Sequence, residues 1–148
     1  MRVLLWGARV VAMGTTTLIA ATLTGLMAGL FFAFSVAVMP GLSDLPADQA
    51  RAAMRRINAR IQNPLFLLVF LGTAVLSGFE VFQGRTAGGL LYVVGSFLLT
   101  MFVNVPMNNR LDRTDDAYWP TYLRTWTLWN HVRALACLAS TITLLLGF

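Results

Sequence analysis

The sequence contains no lysine, one cysteine, one histidine and only six carboxylate side chains in 148 residues. Each scarcity excludes something. A lone Cys137 forbids any disulfide within the chain and gives no zinc-ligand spacing; inside the last apolar run it reads as a small buried hydrophobe. A lone His131, with no His-x-x-His or Glu-x-x-His pair, leaves too few donors for a transition-metal shell. No cofactor is expected, and a haem, which needs only one or two axial ligands, is the poorly supported exception. Charge is scarce as well: 11% of residues are charged and 57% are hydrophobic, against about 25% charge in an ordinary soluble domain. With a mean hydropathy of +0.71, the composition is that of a membrane protein.

All the basic residues are arginines, and the net charge is +5. In a soluble domain that balance would suggest nucleic acid. Here the arginines sit at the ends of apolar runs, where membrane proteins keep them for topology and headgroup contact, so no nucleic-acid partner is expected. A bilayer crossing takes roughly 20 apolar residues, which gives four spans at approximately 10–39, 64–82, 86–105 and 126–148. The first is too long for the core of a secretory signal and reads as a retained span. Within it Ala21, Gly25, Gly29, Ala33 and Ala37 recur every four residues, a small-residue stripe suited to close packing inside the bundle or to a homo-oligomer. Pro40-Gly41-Leu42 is expected to end that helix.

Residues 47–62 form a basic amphipathic segment. Ala47, Ala50, Met54, Ile57 and Ile61 share one side, with Arg51, Arg55, Asn58 and Gln62 on a neighbouring arc. This predicts an interfacial helix, running into the second span with Pro64 as a kink. The second span ends near Glu80, and its link to the third is too short to hold a site. The last apolar run is short for a crossing unless its helix begins near Tyr122 or Trp126, with the aromatic turns at the membrane interface. The expected architecture is therefore a single domain, residues 1–148. It is an all-α, integral membrane four-helix bundle with an interfacial amphipathic helix between spans one and two. Arginine counting puts loops one and three in the cytoplasm and the termini outside, in the cell membrane.

An even number of spans brings the two long joining segments to one face. There Asn58 and Arg60 meet Asn104, Asn108, Asn130, His131 and Arg133 at similar depth. Asn104 and Asn108 share a helix face if the third helix continues past Pro106, and Trp126, Asn130 and Arg133 follow a similar stride. Amides and a guanidinium at the edge of hydrocarbon are costly unless they pair with each other or with a ligand. Asn can bond carbonyl and phenol groups, Arg can stabilise a phenolate or enolate, and Trp126 and Trp129 can stack. A flat, lipophilic, oxygenated aromatic molecule suits such a site. The same residues could instead lock the bundle by interhelical hydrogen bonds.

Four motifs in order, Pro40-Gly41-Leu42, Met54-x-x-x-Asn58, Asn104-x-Pro-x-Asn108 and Trp126-x-x-Trp129-Asn130-x-x-Arg133, resemble the anthrone oxygenase-like family of small four-helix membrane proteins. The resemblance covers the chain from about Ala20 to its end. It implies oxidation of an anthrone- or quinol-like molecule. Catalytic candidates are His131, Arg133, Asn104 and Asn108; Asn58, Arg60, Trp126, Trp129 and Asn130 would bind substrate. His131 is the base candidate, because its ordinary pKa lies near neutrality. The rival reading is a non-catalytic protein, either an accessory subunit or a small-molecule binder. A transporter lacks support, since Glu80 lies at a span end and no span is broken at its middle.

Overall fold

The computed structural model describes residues 14–147, so the start of the expected first span, with Arg2 and Arg9, lies outside the described residues. The described chain is five helices with no strand. Helix α1 runs over Thr15–Ser43, α2 over Ala47–Ile61, α3 over Pro64–Phe82, α4 over Thr86–Arg113 and α5 over Trp119–Leu146. Three of them, α1, α3 and α4, are long and apolar enough to cross a membrane. The expected fourth span lies within α5, which has the length but carries Asn130, His131 and Arg133 in its middle; it does not join those three on hydropathy.

Pro40 does not end α1, contrary to expectation, and Pro106 does not end α4. A proline ring clashes with the carbonyl four residues earlier. In both helices that carbonyl, on Val36 or Phe102, lies in a wider π-helical turn, Phe34–Val38 in α1 and Thr100–Asn104 in α4. The extra width accommodates the ring without breaking the rod. Pro64, where the second span was expected to begin, starts a new helix rather than kinking one continuous with α2. Asn63 is extended and its side chain accepts from the Phe66 amide at 3.0 Å, a cap that fixes the break between α2 and α3 with Pro64 at the first helical position.

The core has three layers along the bundle. At one end Ala20, Ala21 and Leu144 pack together; Met27, Phe31, Phe70, Tyr92 and Cys137 fill the middle; Met39, Met54, Leu111, Trp119, Tyr122 and Trp126 fill the other end beneath α2. The sequence left the α5 aromatics either at the membrane interface or, for Trp126 and Trp129, stacked on a ligand. Three of them turn inward, Trp119 stacking on Tyr122 and Tyr122 on Trp126 with centroids 5.7 and 6.1 Å apart. Only part of the small-residue stripe packs: Ala21 is buried and Gly25 faces Thr141, while Gly29, Ala33 and Ala37 are exposed.

Helices α3 and α4 touch at one end and part at the other. A Cβ on Gly89 would lie 2.3 Å from the Ser77 carbonyl oxygen, so only glycine permits the approach there. The link between them turns through Gly84 at φ +86°. Buried Glu80 accepts from Arg85 at 3.2 Å and from Thr17 at 2.9 Å. Contact continues to Phe70, which accepts from the Tyr92 hydroxyl on its carbonyl at 3.2 Å and packs on Phe97. Beyond that level the two helices enclose space.

Candidate functional site

That space is a cavity of about 300 Å³. Its walls are mostly aromatic, from Phe31 and Phe34 of α1, Phe66 and Phe70 of α3, and Trp126 of α5. Its polar groups are Asn58 from α2, Thr100, Asn104 and Asn108 from α4, and Arg133 from α5. Four lining residues are exposed and form its rim. Leu67 and Met101 make an apolar edge between α3 and α4, and Gln62 and Asn109 make a polar one nearer the ends of α2 and α4.

Arg133 is 4% exposed. It donates to Thr100 Oγ1 at 3.1 Å and to Asn130 Oδ1 at 2.7 Å, and its Nε has no partner. Its guanidinium carbon lies 4.2 Å from the Phe31 ring centroid and 5.2 Å from that of Trp126. Among the described residues no carboxylate pairs with it; the ion pairs are Arg51–Asp116, Arg55–Asp112 and Arg85–Glu80. A buried cation with neutral neighbours alone is under-compensated, and a ligand anion would complete it. Beside it, Asn104 is 1% exposed with neither amide atom partnered, and Asn58 leaves its Nδ2 unpartnered. Native proteins rarely leave such groups orphaned. The free atoms amount to three donors and one acceptor.

The other amides are occupied. Asn108 accepts from the Tyr122 hydroxyl at 2.8 Å and from Trp126 Nε1 at 3.0 Å, which fixes the aromatic wall. Asn130 donates to the Phe31 carbonyl at 2.6 Å and to Ser35 Oγ at 2.7 Å, and stands behind Arg133 rather than in the cavity. The π-helical turn of α4 carries Thr100 and Asn104, two of the cavity's polar groups, and that of α1 carries Ser35, which holds Asn130.

Three candidates from the sequence fall elsewhere. His131 is exposed and lines a separate groove, because it sits five residues from Trp126 and two from Arg133 on a helix with a 3.6-residue period. Arg60 is exposed, two residues from Asn58 and turned outward by the same geometry. Trp129 is half-buried and does not line the cavity. The sequence reading missed Phe31, Phe34 and Thr100, which nothing distinguishes within their apolar runs. It also missed the Arg51 and Arg55 clamps. Arg51 donates to the Leu111 and Thr114 carbonyls and pairs with Asp116 at 3.1 Å; Arg55 pairs with Asp112 at 2.9 Å. The four-residue spacing of both pairs, 51/55 and 112/116, was the available signal.

The described chain is thus helical, with three helices long and apolar enough to cross a membrane and a mostly aromatic cavity that carries amides and a buried arginine. The chain belongs to the anthrone oxygenase family, whose model, described as "Anthrone oxygenase", matches residues 3–143. No curated protein and no solved structure matches it significantly.

Proposed function

We propose that this protein is an oxygenase-like membrane enzyme for a lipophilic aromatic small molecule of the anthrone or quinol type, bound in the cavity between α3 and α4. The observation that carries this reading is Arg133, buried without a carboxylate beside an Asn104 whose amide is wholly unpartnered. In the same reading α5 is the fourth span of a four-helix bundle, capped by α2, and the termini lie outside the cell membrane. A planar ligand would lie against Phe31, Phe66 and Trp126 and reach the cavity from the bilayer past Leu67 and Met101.

The chemistry follows from the charge. Loss of a proton from the anthrone methylene gives an enolate, and its oxygen is the anion that Arg133 and the Asn104 amide meet. Arg133 thereby lowers the acidity barrier of the ligand itself. No side chain that lines the cavity is a base near neutrality, so the proton passes to water at the Gln62 and Asn109 edge. The enolate carbon then gives electrons to O₂. A C–O bond forms at that carbon, and the O–O bond breaks as the second methylene hydrogen leaves as a proton. The other oxygen departs as hydroxide, carrying the proton released first, and takes up the second, so that both methylene hydrogens and that oxygen form one water. The sum is anthrone plus O₂ to anthraquinone plus water, with the substrate as the sole reductant. Excluding bulk water protects the carbanion before it meets O₂.

The absence of a neutral-pH base among the cavity-lining side chains favours a second reading, a binder of the same ligand class that does not turn it over. Oxygen uptake by purified protein supplied with anthrones decides between them. Turnover lost on Arg133→Gln supports the enzyme. Tight binding without uptake by wild type supports the binder.

A further inference from the structure

On the opposite side of α5 a second concavity, about 540 Å³, lies between that helix and the end of α1. Met39 and Pro40 form its α1 wall; Arg124, Thr127, Leu128 and His131 line it from α5. Arg124 and His131 are exposed, no carboxylate lines the groove, and Thr127 Oγ1 is buried with no hydrogen-bond partner. These side chains fall on one helical face. At a rise of about 1.5 Å per residue, Thr127 lies about 4.5 Å and His131 about 10 Å along the axis from Arg124. Depth is set by the neighbouring residue: Asn130 is tied to Ser35, well inside α1, so His131 is far from the α1 end and Arg124 is close to it.

An imidazole facing lipid, and a hydroxyl buried in the groove wall without a partner, are both costly unless something accepts their hydrogens. Along the helix the guanidinium comes first, then the hydroxyl, then the imidazole N–H, with the exposed Leu128 beside the hydroxyl and the exposed Leu135 beyond the imidazole. That matches, in sequence and spacing, the phosphate, ester carbonyls and acyl chains of a glycerophospholipid entering the bilayer. With no carboxylate in the groove to meet a choline or ethanolamine ammonium, the charge selects an anionic headgroup.

We propose that the α1–α5 groove is a binding site for one anionic glycerophospholipid, with the phosphate on Arg124 and the ester region on Thr127 and His131. It rests on the reading of α5 as a membrane span. The test is native mass spectrometry of the full chain released from nanodiscs of phosphatidylglycerol and phosphatidylcholine. Wild type should retain one phosphatidylglycerol at least tenfold over phosphatidylcholine. Arg124→Gln should abolish that preference, and Thr127→Val and His131→Leu should each weaken retention several-fold. Glycerol 3-phosphate, the headgroup without chains, should not compete. Equal retention of both lipids, variants that hold phosphatidylglycerol like wild type, or effective competition by glycerol 3-phosphate would each overturn the site. The span is tested separately in a Cys137→Ser background, by labelling Asp116→Cys and Leu146→Cys with an impermeant maleimide. Labelling of both from one side would overturn the span and the site with it. Opposite-side labelling without lipid preference would overturn the site alone.

Discussion

The Arg133 guanidinium stands 4.2 Å from the centre of the Phe31 ring, and the carbonyl of that same phenylalanine accepts from Asn130, which in turn holds Arg133. One residue of α1 thus supports the cation through its ring and fixes its neighbour through its backbone. The cation is held without being neutralised.

Arg133→Gln should therefore separate binding from folding. A hydrogen bond to a charged group contributes about 1.5–3 kcal/mol, so affinity for an enolisable ketone and the rate of anthrone-dependent oxygen uptake should fall about tenfold to a hundredfold. Melting in detergent without ligand should be unchanged or slightly higher, since an under-compensated buried charge is removed. A large drop in melting temperature with unchanged uptake would make Arg133 a structural residue.

The two asparagines one turn apart on α4 should behave oppositely. Asn104→Leu removes two unpartnered buried atoms and should hold or raise stability while ligand affinity falls. Asn108→Leu strands the Tyr122 hydroxyl and Trp126 Nε1 and should cost about 1–3 kcal/mol per orphaned group. Thermal melts paired with quenching of Trp126 fluorescence by ligand distinguish the two.

At the far end of the bundle, Arg85→Ala should be worse than Glu80→Gln. Glu80 is fully buried, and stripping its partner leaves an unpaired interior charge, a loss of about 3–5 kcal/mol. Arg85 is 24% exposed and can turn to water when Glu80 is neutral. Both sites are remote from the cavity, so ligand affinity measured on the folded fraction should not move.

Gly89→Ala should destabilise by about 1–3 kcal/mol, because the new methyl meets backbone at Ser77. Gly29→Ala meets nothing within 4 Å and should be neutral or slightly stabilising through helix propensity. Equal effects from the two would mean that α3 and α4 are not in close contact at Gly89.

Much of the site was legible because helices enforce a stride. Asn104 with Asn108, and Trp126 with Asn130 and Arg133, repeat at three- and four-residue steps, and all but Asn130 line one cavity. His131 misled because its chemistry is conspicuous while its direction is set by position; two residues from Arg133 is the wrong side of a helix. Asn58 looked like part of the arginine arc on α2, yet it is buried with Ala50 and Met54. The π-helical turns were not legible, since residue propensities carry no sign of a widened turn. Only Pro40 and Pro106 hinted at them, and the sequence reading took Pro40 for an ending. The aromatic cluster of α5 was read both as interfacial turns and, at Trp126 and Trp129, as residues that stack on a ligand, because composition cannot tell an inward tryptophan from an interfacial one.

The placement of Arg133 also bears on how the protein is made. A buried arginine in mid-helix makes α5 a poor membrane segment by itself, since charge at the centre of a bilayer is costly. Its contacts are Phe31 and Trp126, Asn130 beside it, and Thr100 of α4, while Asn130 reaches back to Ser35 of α1. Every partner from another helix precedes α5 in the chain. On the four-span reading, the polar helix is synthesised after α1 and α4, when the groups that receive its arginine and asparagine already stand in the bilayer.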